Sequence, residues 1–154
     1  MYIGSNGTFF YWDGSTFTEH TADITNDAGT IDRPINDILL YKGDLVICGQ
    51  FGTVDGVTAK GVARYKNGVW EQVGQGLNQT DIINRCRTLF VKDEVLFCGG
   101  LFTSDGDGDT DIKGLAFFNE STDKWEELSH NSTISGNPQV FDLGVYSKKL
   151  TGGQ

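Results

Sequence analysis

Proline is nearly missing from this chain, at 2 of 154 residues, and basic side chains are scarce, 12 Lys and Arg against 21 Asp and Glu. The formal net charge of −9 argues against nucleic acid as a partner, because a phosphate backbone needs a basic surface. The same charge argues against an anionic membrane surface. No apolar run approaches the roughly 18–20 residues that span a bilayer, so membrane insertion is not expected. The opening MYIGSNGTFF has neither a basic segment nor an apolar stretch before a cleavage site, and no secretory leader is expected there. Three cysteines, Cys48, Cys86 and Cys98, make an odd count without CxxC spacing, which leaves metal and redox motifs unsupported. Buried free thiols acting as small hydrophobes are expected, a state that suits the cytoplasm. The sequons at Asn6, Asn78, Asn119 and Asn131 carry little weight in a chain so rich in Asn, Gly and Thr.

Glycine is abundant, at 21 residues, and aromatics reach 12%, a mixture that favours short strands and tight turns over helices. The chain also repeats itself. Tyr41–Gly56 (YKGDLVICGQFGTVDG) is answered fifty positions later by Val91–Gly106 (VKDEVLFCGGLFTSDG), which aligns Cys48 with Cys98, Gly49 with Gly99 and Asp55 with Asp105. Gly61–Val73 is answered by Gly114–Leu128, with two extra residues in the turn. A repeat of this length marks a stacked or radial architecture.

Residues 35–84 form one unit of four strands. Asp37–Tyr41 and Leu45–Cys48 are apolar runs expected to be buried on both faces, whereas Gly61–Tyr65 and Val69–Val73 begin to alternate. Asn67-Gly68 is a two-residue hairpin signal. Residues 85–139 repeat the order with strands at Thr88–Val91, Val95–Cys98, Leu115–Phe118 and Lys124–Leu128. Trp70 and Trp125 match, and are expected to pack between neighbouring units. Four antiparallel strands running from apolar to polar make one blade of a β-propeller, with the first strand innermost.

The ends divide a third blade. Residues 1–34 supply strands two, three and four, with Asp13-Gly14 at the hairpin and Phe17 where the tryptophans stand. Residues 140–154 read as a first strand, a turn and the start of a second. The whole of 1–154 is thus a single propeller segment of about three blades, too few to surround a channel. Two arrangements complete it. One is a homodimer forming a six-bladed ring, each tail strand completing its partner's first blade. The other is a segment of a longer propeller, favoured by the likeness of both YIGS and LTGGQ to second strands.

The pattern in Cys48–Phe51, Thr53–Gly56, Gly61–Tyr65 and Asn67–Trp70 returns in Cys98–Phe102, Thr103–Gly106, Gly114–Phe118 and Trp125. It resembles the kelch-like, galactose-oxidase-type propeller repeats of bacterial, phage and fungal surface proteins. The resemblance implies adhesion, scaffolding or ligand binding more often than catalysis, and a place at a cell surface or on a phage particle. Cys48-Gly49 departs from the paired glycines of that pattern, and no copper-ligand constellation accompanies it.

Two groups of residues are candidates for a site. Loops entering the innermost strands converge at the channel mouth and carry Arg33, Asn36, Asp37, Asn84, Arg85, Arg87, Gln139 and Asp142. Such a polar ring hydrogen-bonds sugars, small anions or protein loops, or else satisfies strand ends and solvates the channel. Asp105, Asp107, Asp109 and Asp111 alternate in a loop and could wrap Ca²⁺. The EF-hand pattern fails, because Thr110 stands at the turn glycine and Ala116 at the bidentate Glu; the bland alternative is a solvated connection. His20 and His130 fall at outer strands, away from any nucleophile, so catalysis is not expected. A non-catalytic propeller binding carbohydrate or protein is the expected function. The alternatives are a channel-based hydrolase or lyase acting on a glycan, and a structural component of a phage or cell surface.

Overall fold

The computed structural model of the chain describes residues 2–5, 8–12, 14–25, 35–78, 86–108, 112–128 and 139–145. Sheet 1 contains β1 (Tyr2–Ser5), β2 (Thr8–Trp12) and β3 (Phe17–Thr21) in chain order. The short β4 (Ile24–Thr25) follows. Sheet 2 contains β5 (Ile35–Tyr41) and β6 (Asp44–Gly49), then, after a small hairpin of β7 (Thr53–Val54) and β8 (Val57–Thr58), β9 (Val62–Lys66) and β10 (Val69–Gln72). The short β11 (Leu77–Asn78) leads to sheet 3, with β12 (Cys86–Lys92), β13 (Val95–Gly100), a detour through β14 (Ser104–Asp105), then β15 (Leu115–Asn119) and β16 (Lys124–Glu127). All described pairings are antiparallel, and the chain is all-β.

Turn chemistry sets the hairpins. Asn67 and Gly68 have φ of 51° and 87°, the left-handed pair that a two-residue turn needs to match strand twist. Among the described residues, sheet 1 has three strands where sheets 2 and 3 have four. Residues 139–145, the described part of the tail, carry no strand, and Val140 N–H donates to the Gly100 carbonyl at 3.0 Å. Residues 146–154 lie outside the described residues.

The repeat is in a different register from the one the identities suggest. Gly49 N–H donates to the Gly61 carbonyl, and Gly100 N–H donates to the Gly114 carbonyl, so Gly49 corresponds to Gly100 and the offset here is fifty-one. Cys98 opposes Ala116 and therefore matches Ile47, which opposes Ala63; Cys48 matches Gly99. Because successive side chains alternate faces, a slip of one places Cys48 and Cys98 on opposite faces of their respective sheets. They are not equivalent residues.

The cysteines differ in a second way. Cys86 and Cys98 are joined by a disulfide between the first two strands of sheet 3, and Cys48 alone is free and buried. The expectation of three free thiols is corrected, and with it the argument for a reducing compartment. Without reductant, the unfolded chain should titrate one thiol with dithionitrobenzoate and the native chain none. Three reactive thiols in unfolded, unreduced protein would contradict the bond.

Sheet 2 is covered on both faces. Its Leu45, Ile47, Ala63 and Trp70 face the segment leaving sheet 1, where Ala22 and Ile24 are buried with them. Its Val46, Cys48 and Val62 pack on the other side against Leu96, Cys98 and Trp125 of sheet 3. The joints are stitched by strands that belong to neither large sheet. Each exit segment pairs with a loop of the next unit, β4 with β7 and β11 with β14. Leu77 N–H also donates to the Lys60 carbonyl at 2.8 Å.

Candidate functional site

The first strands of sheets 2 and 3 lie side by side, and both begin with a bulge. In β5 the register shifts between Ile35 and Asp37, in β12 between Cys86 and Thr88, leaving Asn36 and Arg87 as the extra residues. A bulge turns a side chain out of the ladder, so the same device aims both residues toward the following segment. Asn36 Nδ2 donates to the Cys86 carbonyl at 2.6 Å. The Arg87 guanidinium sits over the Phe141 ring, 4.3 Å from its centroid, and its buried Nε has no hydrogen-bond partner.

Asp37 is committed to the joint. Its carboxylate accepts from Leu89 N–H at 2.8 Å, from the Thr88 hydroxyl at 3.4 Å and from Ile38 N–H at 2.8 Å. Cys48 opposes it across the ladder, and burial first, then the Asp37 charge, pushes the thiol well above its ordinary value. A thiol kept protonated in this way is a packing group, not a nucleophile. Asp142 is exposed and accepts from Leu143 N–H at 2.8 Å. Gln139 is also exposed. Arg33, Asn84 and Arg85 lie outside the described residues.

Of the polar ring read from sequence, Asn36, Arg87 and Asp142 thus remain at or beside one end of the sheets, while Asp37 satisfies the neighbouring strand. Phe141 was passed over as a strand residue, yet it is 62% exposed and carries the cation. The signal was an aromatic beside an Asp in a Gly-bounded segment, Val140–Gly144.

The acidic loop has a different role at its start. Asp105 is buried, pairs with Leu77 in the β11–β14 bridge, and accepts from Asp107 N–H at 3.0 Å. Its carboxylate closes a local turn. Asp107 is exposed, and Asp109 and Asp111 lie outside the described residues. Among the described residues no group of three or more His, Cys, Asp or Glu is placed to hold a metal ion.

A separate cleft of about 290 Å³ opens between sheets 1 and 2, lined by His20, Asp55, Tyr65 and Trp70. The His20 ring meets Tyr65 edge-on at 5.9 Å, and Asp55 Oδ1 accepts from Asp23 N–H at 2.6 Å. His20 thus lies at a sheet joint; His130 is outside the described residues. Among the described residues no helix is long and apolar enough to cross a membrane. No family model, no curated protein and no solved structure matches this chain.

Proposed function

We propose that the chain is a non-catalytic interaction module, a segment of β-propeller whose ligand binds at the end where the first strands of successive sheets meet. The recurring bulge that turns out Asn36 and Arg87 carries this reading, because it repeats a side-chain aim that strand pairing does not require. Arg87 is the principal contact. Its guanidinium is braced on Phe141 and has unused donor capacity, and a fork of donors suits a ligand rich in hydroxyl or carboxylate oxygens. Asn36, Phe141 and Asp142 flank it, an aromatic face with polar neighbours that suits a glycan.

The propeller reading is supported by three successive antiparallel sheets, with the first strands of sheets 2 and 3 adjacent and the exit segments of sheets 1 and 2 stitched to the next unit. Screening against a glycan array should give binding without turnover, lost at least tenfold in Arg87→Ala while the circular dichroism is unchanged. An array on which wild-type protein binds nothing would remove the glycan as ligand, and turnover of a bound glycan would replace this reading with a hydrolase or lyase.

A further inference from the structure

The joint between sheets 2 and 3 is built from two surfaces, and the first of them recurs at the joint between sheets 1 and 2. One is an aromatic pair on the last hairpin. Tyr65 opposes Trp70 with ring centroids 5.1 Å apart, and Phe118 opposes Trp125 at 5.5 Å. Both pairs face the preceding unit, and their tryptophans are 8% and 2% exposed. The other surface is the apolar face that receives them. On sheet 2 it carries Leu39, Val46, Val62 and Val73, the last accepting a hydrogen bond from Trp125 Nε1 at 2.9 Å.

Among the described residues, both surfaces also occur where no sheet packs over them. Sheet 1 has its own pair at the same register, Trp12 opposite Phe17, with ring centroids 4.6 Å apart. His20, three residues along β3, points to sheet 2, so by strand alternation Trp12 and Phe17 point away from it. Phe17 is 52% exposed, where Trp70 and Trp125 are buried. Sheet 3 has the receiving face. Phe90, Phe97, Leu115 and Leu128 stand at the positions of Leu39, Val46, Val62 and Val73, and they line an apolar cleft of about 310 Å³. Leu143–Val145 wall its far side.

We propose that a second copy of this chain occupies these faces, the Trp12–Phe17 pair of each copy seated on the Phe90–Phe97–Leu115–Leu128 face of the other. The molecule already makes this kind of joint, and a second copy is the partner that brings both complementary halves at once. Pairing of unlike surfaces either closes or propagates as a filament. Two copies of three sheets give six, within the four to eight that close a propeller, so the assembly is a closed dimer. Closure rests on the propeller reading above; glycan binding through Arg87 does not rest on the dimer and is read separately.

The test is the solution mass by light scattering at micromolar concentration. Wild-type protein should have the mass of two chains. Phe17→Glu should give a folded monomer, since a half-exposed site tolerates the charge within one chain, and Phe97→Glu should do the same from the opposite face. An equimolar mixture of the two variants retains one intact joint per pair and should recover two-chain mass with weaker affinity. A folded wild-type monomer would overturn the proposal, as would a dimer indifferent to Phe17→Glu, which would mean that another surface or a different partner serves. A ladder of higher masses would overturn closure. If Phe97→Glu fails to fold, Phe17→Glu alone decides the matter.

Discussion

Trp125→Ala is expected to lower the unfolding free energy by about 4 kcal/mol, the scale for truncating a fully packed indole. Trp125 is 2% exposed and lies in the core shared by sheets 2 and 3. Its Nε1–H donates to the Val73 carbonyl at 2.9 Å, and a side chain added at Gly74 would lie only 3.3 Å from the indole. The substitution therefore opens a cavity and strands a buried carbonyl together. With whole-domain stabilities of roughly 5–15 kcal/mol, this is a large part of the total. Urea unfolding followed by far-ultraviolet circular dichroism is the measurement. Trp125→Phe should cost about 2 kcal/mol or less, because most of the ring volume stays and one hydrogen bond goes. Phe17→Ala, at the same register position but 52% exposed, should fall within about 0.5 kcal/mol in the single chain. A Trp125→Ala loss no larger than that of Phe17→Ala would mean that sheets 2 and 3 do not pack through this ring.

Gly106→Ala should be nearly as damaging, at about 3 kcal/mol, for a different reason. A Cβ at this position would lie 1.6 Å from the Gln75 carbonyl oxygen, a backbone atom that cannot turn aside. Gly106 is also held at both polar groups. Its N–H donates to the Gly76 carbonyl at 2.9 Å, and its carbonyl accepts from Lys60 Nζ at 2.9 Å. The methyl must push β14 from β11, so hydrogen exchange should accelerate at the amides that close the seam, that of residue 106 and that of Thr103. Gly108→Ala is the control. Its φ of +95° penalises a side chain, but nothing lies within 4 Å, so its cost should be about 1 kcal/mol. Equal losses in the two variants would show that the seam is not closed at Gly106.

The strands and hairpins were legible because their signals are local. Asn67-Gly68 has the dihedrals its residues prefer, and Val69–Gln72 forms the strand that follows this turn. The register was not legible, and β6 shows why. Leu45–Gly49 is buried residue after residue, so no polar position marks which face is which. Identity between copies then decides the alignment, and in glycine-rich loops it favours a slip of one. The site was legible only in part. Asn36 and Asp37 look like free polar groups in the sequence, but their partners, Cys86, Thr88 and Leu89, are about fifty residues away. Nothing local distinguishes a side chain that meets a ligand from one that ties two strands together. The pairing of Asp105 is equally invisible locally, since its partner strand is β11.

The bridges β4–β7 and β11–β14 bear on how such a chain can be shortened, lengthened or shuffled. By covalent order β11 trails sheet 2, and by hydrogen bonding it is a piece of unit three. A cassette cut at the visible gaps between sheets would carry an orphaned stitch at one border and a vacant socket at the other. Clean exchange needs breakpoints displaced into the middle of a unit, between β8 and β9 or between β14 and β15, so that each graft travels with both halves of its own seam.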